Sequence, residues 1–326
     1  MATKTTSGRL RIVPPAARSG LQQAVSDYLA HITAKGGSPR TADYYESTLR
    51  TVFLPWCAAE KVTAPEQLSQ RLLDRLNTDL LGRVSEQTGK PLSRATVATY
   101  LRAVSQFIRW TQREKGINPD DIGVMKVQRV TVPRRILDTL SREEVADLEA
   151  AATAERDKVI IRLLGDGGLR LTELLTLTTG SLHEQGRERY LKVTGKGARD
   201  RLVPVLPSVY ARLQRFAKLG RPAEANSERI FVSLRRRPSG DYEALDPRAV
   251  QQMIKAAARR AGLKKPVHPH LLRHSMATNF LRGGGNPVTL AKILGHRDLT
   301  MIQSVYSHLN NSDAHQEMMR ILRKED

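Results

Sequence analysis

Residues 189–205 read RYLKVTGKGARDRLVPV. Two short β-prone runs, Arg189–Val193 and Arg201–Val205, flank the glycine-rich stretch Gly195-Lys196-Gly197-Ala198, a hairpin pattern with a tight tip. Moving outward from it in either direction, the periodicity is helical. Upstream, Ser141-Arg-Glu-Glu144 is a capping box that opens a new folding unit. Downstream, the apolar spacing predicts helices at about Asp246–Ala261, Leu271–Leu281, Pro287–Leu294, Leu299–His308 and Ser312–Arg323. Arg229–Leu234 reads as a third strand. The fold class is therefore mainly α with a small β-hairpin or sheet.

The first half of the chain is helical throughout. Leu21, Val25, Leu29 and Ile32 keep helical spacing up to the stop signal Gly36-Gly37. Ser38-Pro39 sets an N-cap and a first-turn proline for a helix through about Ala59, which Pro55 kinks or ends early. A third helix is expected over Pro65 to Leu81. Ser93 caps a fourth, with Val97, Leu101, Val104, Phe107 and Ile108 on its apolar side. Periodicity fades between Gly116 and Asp138. The expected organisation is a flexible basic arm (1–18), a helical domain (19–116), a linker (117–138) and a second domain (139–326).

Charge points to the partner. The 326 residues hold 53 Lys plus Arg against 33 Asp plus Glu, a net charge of +20. Through Asp138 there are 21 basic and 12 acidic residues, and beyond it 32 and 21, so both halves are basic. A polyanion gripped by two domains explains this, because phosphate neutralisation releases counterions. No run of eighteen apolar residues and no apolar N-terminal leader is present, so membrane-spanning and secreted readings are set aside. Cys57 is the only cysteine. A reducing, cytoplasmic compartment fits.

Four clusters follow one another in the second half: Gly168-Leu169-Arg170-Leu171-Thr172-Glu173-Leu174, Gly195-Lys196-Gly197-Ala198-Arg199-Asp200-Arg201, His270-Leu271-Leu272-Arg273-His274, and Leu294-Gly295-His296-Arg297-Asp298. Tyr306 comes ten positions after His296. Two arginines offer planar forks for phosphate oxygens. A lysine on a hairpin tip can donate a proton, and histidines add hydrogen bonds or acid–base capacity. A tyrosine can be a nucleophile once a neighbour takes its proton. No paired carboxylates suggest two-metal chemistry. His268, His270 and His274 invite a zinc reading, but no acidic or cysteine ligand lies nearby. Taken singly, each cluster has a plainer meaning: a surface ion pair of Arg170 with Glu173, a simple turn, a core tyrosine.

In conjunction and in this order, the clusters closely resemble the tyrosine recombinase family, the phage-integrase-like and Xer-like enzymes. The resemblance implies a helical core-binding domain and a mixed α/β catalytic domain that together form a C-shaped clamp on DNA. It implies catalytic roles for Arg170, Lys196, His270, Arg273, His296 and the nucleophile Tyr306, with Glu173 orienting Arg170 or a nearby backbone group. It implies no cofactor, neither metal nor ATP. The partner is double-stranded DNA at specific recombination sites, bound by a dimer per site and a homo-tetramer in all, with room for accessory proteins, in a cytoplasmic, nucleoid-associated setting. The last helix, with Met318, Met319, Ile321 and Leu322, is expected to dock on a neighbouring protomer or on its own domain. Arg40, Arg94 and Arg102 are candidate DNA contacts of the first domain. A type IB topoisomerase and a non-enzymatic DNA-binding regulator are the alternative functions. The residues do not separate a mobile-element integrase from a Xer-like or resolvase role.

Overall fold

The computed structural model describes residues 20–86, 88–116, 125–132, 138–195, 199–295 and 318–319. The chain divides into two compact units, Met1–Arg134 and Arg135–Asp326.

In the N-terminal unit, α1 (Gly20–Ala34) is followed by α2 (Pro39–Thr48), whose N-cap Ser38 accepts a hydrogen bond from the Thr41 amide with Pro39 in the first turn. The chain then passes through a π turn at Leu49–Phe53 into α3 (Leu54–Ala59). Pro55 thus does not end the helix, which continues through it into α3. The wider π turn opens the hydrogen-bond ladder where proline has no N–H to contribute. The helix expected over Pro65–Leu81 is two pieces, a 3-10 turn at Pro65–Gln67 and α4 (Gln70–Gly82). Gln67 Oε1 accepts from the Thr63 and Ala64 amides, while Ser69 caps α4, so two local caps outcompete one continuous helix.

The long α5 (Arg94–Glu114) starts at Ser93, which accepts from the Thr96 amide. Its Val97, Leu101, Phe107 and Ile108 pack with Leu21, Val25, Leu49, Phe53, Leu73 and Leu76 in one core. Tyr28, Phe107 and Trp110 meet in edge-on and tilted contacts. Cys57 is buried there, and burial pushes its thiol up to about 12, which keeps it unreactive.

The C-terminal unit is built on α6 (Arg142–Ala150), α7 (Glu155–Gly165), the short α8 (Leu171–Leu175), α9 (Pro207–Arg215), α10 (Pro247–Arg260), α11 (Pro269–Arg282) and α12 (Pro287–Leu294). The capping box at α6 forms as read, Ser141 accepting from the Glu144 amide and Glu144 from the Ser141 amide. The sheet is three-stranded and antiparallel: β1 (Leu182–Gln185), β2 (Glu188–Gly195) and β3 (Arg199–Pro204), in sequence order. Leu191 faces Val203 and Gly195 faces Arg199.

Here one expectation is corrected. Arg229–Leu234 is not a strand; it makes only isolated bridges, Thr178 with Arg229 and Val232 with Ala244. The third strand is β1, whose polar sequence LHEQ lies largely exposed and carries no alternation to betray it. Ile230, Phe231 and Val232 are apolar because they are buried, not because they pair in a sheet.

A large apolar cluster joins α6, α7, α8, the sheet, α9 and α10 to the start of α11. A smaller one, Met276, Ala277 and Leu281 with Leu290, Ala291 and Leu294, seats α12 against α11. The helices expected at 299–308 and 312–323 lie outside the described residues, apart from Met318 and Met319. No helix among the described residues is long and apolar enough to cross a membrane.

Candidate active site

The site grows from the turn between α7 and α8. Gly168 has φ +61°, and a Cβ there would stand 2.9 Å from Leu294 Cδ2 and 3.1 Å from the Met276 sulfur. Glycine is thus needed both for the backbone conformation and for the close approach of α11 and α12. Two residues on, Arg170 occupies the N-cap position of α8 in extended conformation. Its amide donates to Glu173 Oε2 (2.8 Å) and its Nη1 to Glu173 Oε1 (2.7 Å).

Glu173 is the hub. Besides Arg170, it receives Arg201 of β3 in a two-point fork, Nη1 to Oε1 at 2.7 Å and Nη2 to Oε2 at 2.9 Å. Arg273 Nη1 of α11 lies 4.0 Å from Oε2. Burial opposes ionisation of this carboxyl, but the hydrogen bonds from Arg201 and Arg170 outweigh it and hold its pKa at about 2. Side-chain exposure rises outward from 2% at Glu173 through 6% at Arg273 and 13% at Arg201 to 36% at Arg170. Arg170 is the guanidinium presented most openly to a ligand.

Arg273 and Arg201 also grip the C-terminus of α12. Arg273 Nη2 donates to the Leu294 carbonyl (2.7 Å) and Arg201 Nε to the Ile293 carbonyl (2.8 Å). Arg273 Nη1 donates to the Gly168 carbonyl. Carbonyls in the last turn of a helix have no intrahelical donor and carry its negative dipole end, so two cations suit them. Burial, then the charges of Arg170 and Arg201, pull the Arg273 pKa down to about 10; it remains charged at neutral pH.

His270 sits one turn before Arg273 on α11 and is exposed. Desolvation by the surrounding protein, then the charges of Arg273 and Arg170, lower its pKa below the ordinary histidine value. His268 Nδ1 is taken up in capping α11, accepting from the Leu271 amide at 3.1 Å. Among the described residues no group of three His, Cys, Asp or Glu side chains gathers as a metal site.

The structure therefore brings Arg170, Glu173, His270 and Arg273 together. Lys196, His296 and Tyr306 lie outside the described residues. Their chain neighbours are placed, however. A Cβ on Gly195 would lie 3.5 Å from Arg201 Nη1 and 3.8 Å from Glu173 Oε1, and one on Gly295 would lie 3.0 Å from Arg201 Cδ. Arg40, Arg94 and Arg102 belong to the other unit, at the starts of α2 and α5 and on the face of α5, and all three are exposed. Sequence reading includes Arg201 in the hairpin cluster but gives it no role. The available signal was its parity with buried Val203 on β3, which puts a cation on an inward-facing position.

The phage integrase family model matches residues 135–313. A tyrosine recombinase XerD of Pseudomonas putida is 32% identical over 280 residues, covering 84% of this chain and 88% of the relative. Tyrosine recombinase XerC 2 of Ralstonia nicotianae is 29% identical over 315 residues, covering 94% of this chain and 87% of that protein. Among solved structures, the Tn1549 transposon integrase in complex with transposon right end DNA aligns with TM-score 0.66 at 19% identity, over 93% of this chain and all but a hundredth of the other. XerH site-specific recombinase bound to its difH substrate aligns with TM-score 0.63 at 17% identity, over 88% of this chain and 82% of that one. With a family match over more than half its length and the XerD relative spanning most of it, the chain belongs to the phage integrase family, the tyrosine recombinases.

Proposed function

We propose that this tyrosine recombinase cuts and rejoins duplex DNA at specific sites through a 3′-phosphotyrosyl intermediate. The observation that carries the reading is the charge balance of the site: Arg170, Arg201 and Arg273 share the single buried carboxylate of Glu173. Among the described residues the cluster carries more positive than negative charge and presents it outward through Arg170, where a phosphodiester would find a counter-charge.

In this mechanism Tyr306 Oη attacks the scissile phosphorus and its proton passes to His270. The lowered pKa of His270 leaves the imidazole neutral at pH 7, with a lone pair to accept it. The P–O5′ bond breaks as the P–Oη bond forms, and the leaving 5′-oxygen takes a proton from Lys196. Arg170 and Arg273 meet the charge on the non-bridging oxygens, and His296 adds a further contact. Each bond broken is matched by one formed, so the link stores the phosphodiester energy and reversal by a new 5′-hydroxyl needs neither ATP nor a divalent ion.

The Tn1549 integrase is bound to transposon right end DNA and XerH to its difH substrate, which supports DNA at recombination sites as the partner. The family resemblance supports a dimer per site, a tetramer during exchange, a last helix docking in trans and a nucleoid setting. Membership among proteins named tyrosine recombinases favours recombination over topoisomerase-like relaxation or a purely regulatory role.

Covalent capture tests the reading. Wild-type and Tyr306→Phe proteins are expressed in cells, the lysate is denatured, and DNA linked to protein is sequenced, with EDTA present in a parallel reaction in vitro. Wild type is expected to yield adducts at one repeated sequence, insensitive to EDTA, and Tyr306→Phe none. Adducts from Tyr306→Phe would remove Tyr306 as nucleophile. Adducts scattered over many sequences would replace recombination with relaxation.

A further inference from the structure

We propose that Arg201 is a positioning residue for strand cleavage: one side chain that ties the hairpin, the Glu173 hub and the end of α12 into a single mount. This rests on the reading above that the site cleaves DNA. All three guanidinium nitrogens of Arg201 are engaged, Nε with the Ile293 carbonyl, Nη1 and Nη2 with the two oxygens of Glu173. With its nitrogens taken up by these three contacts, it serves as a joint and not as a phosphate ligand.

The three partners belong to segments far apart in sequence. Arg201 lies on β3, Glu173 on α8 and Ile293 in the last turn of α12. The two glycines closest to its side chain are Gly195 and Gly295, the residues immediately before Lys196 and His296. Arg201 therefore stands where the chain departs towards both of those functional positions. It holds those two departure points at a fixed distance from Arg170, which hangs on the same carboxylate.

Arg201 has an electrostatic duty as well. Its fork saturates both oxygens of Glu173 and keeps that carboxylate 4.0 Å from Arg273. Without the fork, Glu173 would keep its contact with Arg170 and be drawn towards Arg273, competing with the phosphate for that second guanidinium. Lysine cannot replace it, because an ammonium is a point donor and cannot span two carboxylate oxygens and a carbonyl in one plane.

The test uses full-length wild type, Arg201→Lys and Arg201→Ala, with the duplex recovered by covalent capture and nicked beside the scissile phosphate so that cleavage is irreversible. Melting temperature, equilibrium binding and the first-order cleavage rate are measured separately. The expected result is binding within about twofold of wild type and cleavage slowed about 100-fold in Arg201→Lys, the size of effect that small misplacement of reacting groups produces. Guanidinium ion added to Arg201→Ala is expected to restore part of the rate. A second readout is the pH dependence of stability: loss of the fork lets the folded-state Glu173 pKa rise towards its unfolded value, so the acid decline in unfolding free energy due to this carboxylate is smaller in Arg201→Lys than in wild type.

Cleavage by Arg201→Lys within about twofold of wild type would overturn the inference while leaving the recombinase reading intact. So would loss of binding in proportion to loss of cleavage. A wild-type protein that cleaves no DNA would instead overturn the reading on which the inference rests.

Discussion

The two units use arginine in opposite ways. In the N-terminal unit the core is apolar and aromatic, built on Phe53, Phe107, Tyr28 and Trp110, and Arg40, Arg94 and Arg102 stand at its exposed edges. In the C-terminal unit Arg201 and Arg273 are drawn inside and fastened to a carboxylate and to helix-end carbonyls. An exposed arginine keeps its rotamer freedom and offers charge to any nearby phosphate. An inward one has exchanged freedom for a fixed place, and its desolvation is offset only while every partner remains. The first arrangement suits affinity, the second suits chemistry that tolerates little displacement.

The sharpest way to break this contrast is at Glu173. Glu173→Gln keeps the shape and removes the charge that three arginines share, so the C-terminal unit is expected to lose about 3–5 kcal/mol, the usual penalty for breaking a buried ion pair. Both tryptophans, Trp56 and Trp110, lie in the N-terminal unit, so their fluorescence reports that unit alone. Denaturant unfolding should then shift the circular-dichroism transition to lower denaturant and leave the tryptophan transition in place. Equal shifts in both probes would mean that the units do not hold their stability separately.

Acid should reproduce a smaller version of the same loss. The Glu173 pKa is about 2 in the folded chain against 4.5 for an ordinary glutamate. Because the folded value is the lower one, the stabilisation is complete above the unfolded pKa and disappears as pH falls from about 4.5 towards 2. Its size is about 3 kcal/mol, from ~1.4 kcal/mol per pKa unit. Unfolding free energies measured between pH 6 and 2.5 should show this decline in wild type and not in Glu173→Gln. Identical declines in the two would assign the acid sensitivity to other carboxylates.

The smallest effect is expected in the N-terminal unit. Arg102→Ala should weaken DNA binding a few-fold and lower the slope of log affinity against log salt by about 1, the signature of one lost phosphate contact. Melting temperature and the cleavage rate of bound DNA should not change. A lower cleavage rate at saturating protein would show that Arg102 does more than supply affinity.

How much of this was legible beforehand follows the range of the interactions involved. The caps at Ser38, Ser93 and Ser141, and the hairpin around Gly195, were readable because each is written within a few residues of chain. The break between Pro65 and Gln70 was missed because two local caps compete there, and periodicity averages over them. β1 was missed because an exposed edge strand needs no apolar alternation.

Sequence alone determined the helical class, the basic character of both halves and which residue types stand ready for phosphate chemistry, since composition, spacing and order are one-dimensional properties. Tertiary structure alone decided that Glu173, Arg201, Arg273 and the end of α12 meet. Those groups come from positions up to 121 residues apart, and no local pattern encodes which buried carboxylate a distant guanidinium will find. Only the packing of α8, β3, α11 and α12 brings them together, because a buried charge must be met by whatever opposite charge or carbonyl the fold places beside it.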